Sequence, residues 1–247
     1  MSAVVGGFSS NADAALTIDL RLTNGEKSVP DAQAGQKIMA DVWATVTGTS
    51  TDLANSYGLS SVNGSIVSNG PVLINISGKQ GDVAAYKGGV KTTALAPFAK
   101  SGEQPGMERD LDGDGDIDLG SPNQNDATGF FNVRADPQEY FGGSPAGIAA
   151  PGGNGVAWKI GRVELTVAPG TEAGTSSVIW TPRRNAAGAI APEAGLWYDD
   201  EVTLSAKDGS TGTIVSGAPL TVTVVPEPGV IGTLAIGAIG LLARRRK

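Results

Sequence analysis

A side-chain period of two constrains this chain more than any other feature. Leu16-Thr17-Ile18-Asp19-Leu20-Arg21-Leu22 alternates apolar and polar residues, the pattern of a strand with one face buried and the other in water. Asn24-Gly25 follows as a turn signal. A second strand is expected over Lys37–Thr47, with Ile38, Ala40, Val42, Ala44 and Val46 on one face. Further strands are expected over residues 59–67, 71–76, 156–167, 176–181, 201–206 and 220–225. No amphipathic helix stands out in the body of the chain, although residues 81–100 could hold a short helical turn. Strands separated by Gly, Asn and Pro turns predict an all-β fold, a two-sheet antiparallel β-sandwich.

Composition agrees with many short strands and turns. The chain of 247 residues contains 36 glycines, about twice the average usage. It has no cysteine, so no disulfide staples the fold, but a domain of this size can build a sufficient core without one. It has no histidine either, which removes Ser-His-Asp and Cys-His catalysis and the usual zinc sites. Carboxylate chemistry remains open. The net charge is −7, and the last four residues are all cationic. Without them the body carries −11, so nucleic acid is excluded as a natural partner and a cation is favoured.

Residues 102–155 differ in character from the flanking strands. They are rich in Gly, Asp, Asn and Pro and read as a long insertion between two halves of one sandwich. Within them stands Asp110-Leu111-Asp112-Gly113-Asp114-Gly115-Asp116-Ile117-Asp118. Calcium takes six to eight hard oxygen ligands on a sharply turning loop. In that reading Asp110, Asp112 and Asp114 fill positions 1, 3 and 5, and Gly115 makes the turn at position 6. Asp116 offers its carbonyl at 7, Ile117 is an apolar anchor at 8, and Asp118 falls at 9. Position 12 departs from the pattern, being Ser121 instead of Glu. The last ligand then comes from Asp126, Asn123 or water. The loop resembles the calcium loops of dockerins and other extracellular Asp-rich repeats. The competing reading is a solvated acidic turn, but five carboxylates within nine residues repel one another without a cation. Ca²⁺ is therefore the expected cofactor.

The last 22 residues carry a different message. Pro226-Glu227-Pro228 precedes an uncharged run, residues 229–243, and then Arg244-Arg245-Arg246-Lys247. The run has no polar face to offer water, and a basic block after it suits anionic headgroups on the cytoplasmic side. This order resembles the PEP-CTERM sorting signal of exported bacterial proteins. The resemblance implies a hydrophobic C-terminal helix that anchors the chain transiently in the membrane. It also implies recognition by an exosortase-type sorting enzyme near the Pro226-Glu227-Pro228 motif. The run is shorter than the ~20 apolar residues of a full span, which suits a temporary anchor.

The strand pattern also resembles cohesin-like and carbohydrate-binding-type sandwiches, so the topology is expected to be jelly-roll or cohesin-like. The carrying residues are Ala34-Gly35-Gln36 before the Lys37–Thr47 strand, then Trp158 to Val167 followed by Pro169-Gly170 and Gly174. Three segments result: 1–15 as a signal-peptide remnant or disordered terminus, 16–225 as the sandwich, and 226–247 as the sorting tail. Ala12-Asp13-Ala14 has the small-x-small form of a signal cleavage site.

Trp43, Trp158, Trp180 and Trp197 could form a sugar-stacking platform, with Trp197-Tyr198 beside Asp199-Asp200-Glu201 the best exposed candidate. Core or edge packing is the commoner fate of tryptophans in a sandwich. The expectation is an exported, non-enzymatic protein of the cell envelope or extracellular matrix. It would carry a calcium-stabilised loop and play a structural or adhesive role with exopolysaccharide. The alternatives are a calcium-dependent carbohydrate-binding module and a cohesin-like protein receptor. A carboxylate-based glycosidase ranks last, because aromatic content is low.

Overall fold

The computed structural model describes residues 14–48, 57–78, 104–121, 131–134, 148–150, 155–198 and 206–225. The strands are β1 (Ala15–Leu22), β2 (Ser28–Ala32), β3 (Lys37–Thr47), β4 (Gly58–Asn69), β5 (Ile74–Gly78), β6 (Gln104–Pro105), β7 (Glu108–Arg109) and β8 (Asp118–Leu119). They continue with β9 (Phe131–Arg134), β10 (Ile148–Ala149), β11 (Gly155–Val167), β12 (Gly174–Pro182), β13 (Gly195–Tyr198), β14 (Ala206–Asp208), β15 (Thr213–Ser216) and β16 (Leu220–Val224). Among the described residues the one helical element is a 3-10 turn at Pro192–Ala194. No helix among them is long and apolar enough to cross a membrane. The sorting tail, the 1–13 segment and residues 81–100 lie outside the described residues.

Two sheets form. The first runs β10-β11-β3-β1-β15, with β5 also pairing β11. The second runs β14-β13-β4-β12-β16-β2, and β8 and β9 line the other edge of β4. Period-two alternation explains the core between them. Leu16, Ile18 and Leu20 of β1 and Ile38, Ala40, Val42, Ala44 and Val46 of β3 point inward. Val62 and Ile66 of β4, Val178 and Trp180 of β12, and Leu220 and Val222 of β16 are buried in the same cluster.

The pairing is not wholly antiparallel as expected. β15 runs parallel to β1, and β16 runs parallel to β2. The last two strands return beside the first two, so the beginning and end of the domain are stitched together in both sheets. β5 also begins at Ile74 and not at Pro71. Residues 71–73 are drawn toward β12 and the bend before it: the Val72 N–H donates to Ser176 Oγ at 2.8 Å, and the Leu73 N–H to Thr171 Oγ1 at 2.8 Å.

The tryptophan platform does not form. Trp158, Trp180 and Trp197 are buried in the core cluster. Trp197, the residue expected to be most exposed, has no accessible surface and donates its indole N–H to the Ala14 carbonyl at 3.1 Å. Alternation within β13 turns Trp197 inward, whatever the polarity of its sequence neighbours. Trp43 alone of the four lies on an outer face.

Candidate metal centre

Of the expected 102–155 insertion, the described parts supply β6 to β10. The acidic loop runs between β7 and β8, which pair with each other. β8 is fastened to the middle of β4, where Leu119 faces Ile66. Its tight path depends on glycine: Gly113 and Gly115 adopt φ of 85° and 100°, a region costly for other residues. Gly115 thus makes the turn assigned to position 6.

The five aspartates divide into distinct roles. Asp110, Asp112 and Asp118 each present a carboxylate oxygen within 4.8 Å of the others. Two oxygens bound to one calcium at ~2.4 Å can be at most ~4.8 Å apart, so these three could hold a single metal ion. Asp110 is preset by the loop backbone, accepting the Gly113 N–H at 2.6 Å and the Gly115 N–H at 3.2 Å. Asp118 is fully buried and accepts the Ser68 N–H at 2.8 Å and the Leu111 N–H at 3.0 Å. Asp114 lies outside this trio, its carboxylate accepting the Asp116 N–H at 3.1 Å.

The Asp116 side chain faces the sandwich. It is buried, accepts a hydrogen bond from the Ser68 hydroxyl, and accepts the Ile74 N–H at 2.8 Å. Its Oδ1 has no hydrogen-bond partner. Ile117 anchors the loop through its backbone, not its side chain. Its N–H donates to Asn75 Oδ1 at 3.0 Å and its carbonyl accepts the Ile76 N–H at 2.5 Å, while the side chain remains exposed. Leu119 is the apolar residue that enters the core. Asn123 and Asp126 lie outside the described residues, and Ser121 is buried beside Ser65, whose Oγ takes its N–H at 3.3 Å.

Burial controls the charge state of the two inward carboxylates. Desolvation pushes the Asp118 pKa up to about 7, against the pull of the Ser68 and Leu111 N–H groups, and the charges of Asp116 and Asp112 add to the rise. Burial also raises Asp116, opposed by its bonds from Ser68 and Ile74. A carboxylate desolvated among like charges binds either a proton or a cation. The anchoring partners Ser68, Ile74 and Asn75 escaped sequence reading. Each stands more than forty positions from the loop residue it bonds, and no local spacing marks it.

The fold and site define a two-sheet β-sandwich that carries a three-aspartate loop beside its central strand. Residues 224–247 match the PEP-CTERM protein-sorting motif, which implies export to the cell envelope. The body's structural neighbours are cohesin modules. It is similar to the seventh ScaB type I cohesin of Pseudobacteroides cellulosolvens, with 11% identity, 87% of this chain and 93% of that one covered, and a TM-score of 0.38. It is also similar to a type III cohesin module from the cellulosomal cell-surface anchoring scaffoldin ScaE of Ruminococcus flavefaciens. There the identity is 13%, the coverage 92% and 97%, and the TM-score 0.36. No curated protein sequence matches the chain.

Proposed function

We propose that this chain is an exported, non-enzymatic component of the cell envelope or extracellular matrix, braced by calcium and engaged with exopolysaccharide in a structural or adhesive role. The match of residues 224–247 to the sorting motif supports the export part of this reading, on which the rest is built. The tail inserts transiently in the membrane and presents Pro226-Glu227-Pro228 to an exosortase-type enzyme, while Arg244, Arg245 and Arg246 stay at the cytoplasmic headgroups. Asp110, Asp112 and Asp118 supply the calcium carboxylates, and their mutual spacing supports that assignment. Asp116 ties the loop to β4 and β5, and Asp114 orders its last turn. The absence of histidine and cysteine supports a non-enzymatic role.

The test is localisation in a host that has an exosortase. The intact chain should reach the cell surface or medium with its tail removed. A variant with Pro226→Ala and Glu227→Gln should remain in the membrane fraction uncut. Equal distribution and equal mass of the two proteins would reject the sorting role.

A further inference from the structure

Three neighbouring strands of the first sheet arrange six side chains in two rows on its outer face. Asp19 of β1, Trp43 of β3 and Lys159 of β11 stand opposite one another, and Arg21, Asp41 and Arg162 form the next row. A bulge in β11 between Lys159 and Gly161 makes this possible. It absorbs one residue, so Lys159 and Arg162 both meet the outer row while Ile160 and Val163 stay in the core.

Each row contains a nearly buried carboxylate held by two cations. Asp19 accepts the Arg21 Nε–H at 3.1 Å and pairs with Lys27 from the turn after β1. Asp41 accepts the Arg162 Nε–H at 2.6 Å and pairs with Lys159 at 3.4 Å. Four cations thus surround two carboxylates, a local surplus of two positive charges on a chain whose net charge is −7. The Arg21 guanidinium lies over the Trp43 ring, 5.0 Å from its centroid. Arg21, Lys27 and Lys159, though not Arg162, join Asp19, Asp41, Trp43 and the turn at Thr23 to Gly25 in lining an open depression of about 570 Å³, where the surplus is one positive charge.

We infer that this depression is a binding site for an acidic polysaccharide, whose carboxylates meet Lys27 and Lys159 while a sugar ring packs against Trp43 and Arg21. The inference rests on the exopolysaccharide reading above and narrows it to a site and a charge class. Buried carboxylates hold the cations in place before ligand arrives, which lowers the cost of ordering long side chains. Lys159 gives one of its three N–H groups to Asp41 and keeps donors for a ligand. A planar indole beside charged donors suits a sugar ring, which has an apolar face and a polar rim. A peptide fits less well. β1 and β3 are paired on both edges, so no strand can add there. Leu22 is the single aliphatic side chain in the lining.

The test measures binding of the full chain to soluble oligogalacturonate, to neutral dextran and to poly-glutamate by calorimetry. Oligogalacturonate should bind, more weakly as salt rises, and dextran should not. Lys27→Gln with Lys159→Gln should weaken binding at least tenfold. Lys37→Gln, which removes an equal type of charge paired with Glu164 elsewhere on the sheet, should leave it unchanged. Unchanged binding in the double variant, or an equal loss in Lys37→Gln, would overturn the site and leave the exopolysaccharide reading standing. Dextran bound as tightly as oligogalacturonate would overturn the charge class alone. Poly-glutamate bound more tightly would replace the sugar with an acidic protein. Binding to no glycan would overturn both readings.

Discussion

The hydroxyl of Ser68 donates to the buried carboxylate of Asp116, linking the end of β4 to the acidic loop 48 positions later in the chain. Ser68 also gives its backbone N–H to Asp118. One residue therefore holds both inward carboxylates. Ser68→Ala keeps the N–H bond but leaves Asp116 with only the Ile74 N–H, since Oδ1 is already without a partner. An unsatisfied buried charged group costs about 1–3 kcal/mol or more. Urea denaturation should show that loss, and proteolysis should cut residues 104–121 faster. A variant as stable and as resistant as the parent would show that the loop does not depend on this link.

Calcium should raise the melting temperature of the chain, because it would bind only where Asp110, Asp112 and Asp118 converge. A ligand at one hundred times its dissociation constant stabilises by about 2.7 kcal/mol. Asp110→Asn should remove most of the calcium response. Gly115→Ala should weaken it too, since a side chain at φ 100° adds strain of roughly 1–2 kcal/mol. Differential scanning calorimetry in calcium and in chelator decides, and identical curves for the parent chain would reject the calcium assignment.

The calcium-free protein should lose stability as pH rises from about 4 to 7. Asp118 keeps its proton in the folded state to about pH 7, because burial disfavours its charge. In the unfolded chain an aspartate ionises near 3.9. Between those values the folded state binds more protons, so unfolding becomes easier as pH climbs. Asp118→Asn should flatten this slope in chelator. Calcium should flatten it as well, by replacing the proton as the neutralising cation. A parent chain whose melting temperature rises across that range in chelator would contradict the burial of this carboxylate.

How much of this was legible in the sequence depended on whether burial followed local alternation. β3 was readable to the residue, because Ile38, Ala40, Val42, Ala44 and Val46 occupy every second position and all face the core. β2 was not, since Ser-Val-Pro-Asp-Ala lies largely exposed at a sheet edge and owes its strand state to parallel pairing with β16. In the acidic loop the ligand-like spacing was visible, and so was the glycine turn. The division of labour was not. Asp116 and Asp118 are buried by contacts from Ser68, Leu111 and Ile74, and spacing within the loop says nothing of β4. On the outer face of the first sheet, Asp19 and Arg21 read merely as the solvated side of their strand, and Trp43 only as one of four tryptophans for a platform or for packing. Their relation to Lys159 and Arg162 needed the β11 bulge, which shifts the alternation by one residue.

Trp197 should behave as a core residue and Trp43 as a surface one. Trp197 is enclosed between the sheets, with its indole N–H on the Ala14 carbonyl. Trp197→Ala opens a large cavity and should cost about 3–5 kcal/mol. Trp197→Phe fills most of that space and loses chiefly the hydrogen bond, a net cost of about 0.5–1.5 kcal/mol. Trp43 packs beneath Arg21 on the open face, so Trp43→Ala should cost less than Trp197→Ala, chiefly the cation–π contact of about 0.5–1 kcal/mol and some buried area. Equilibrium denaturation of the three variants gives the order. A Trp43→Ala loss as large as that of Trp197→Ala would mean that Trp43 is part of the core, and the outer depression would then have no aromatic floor.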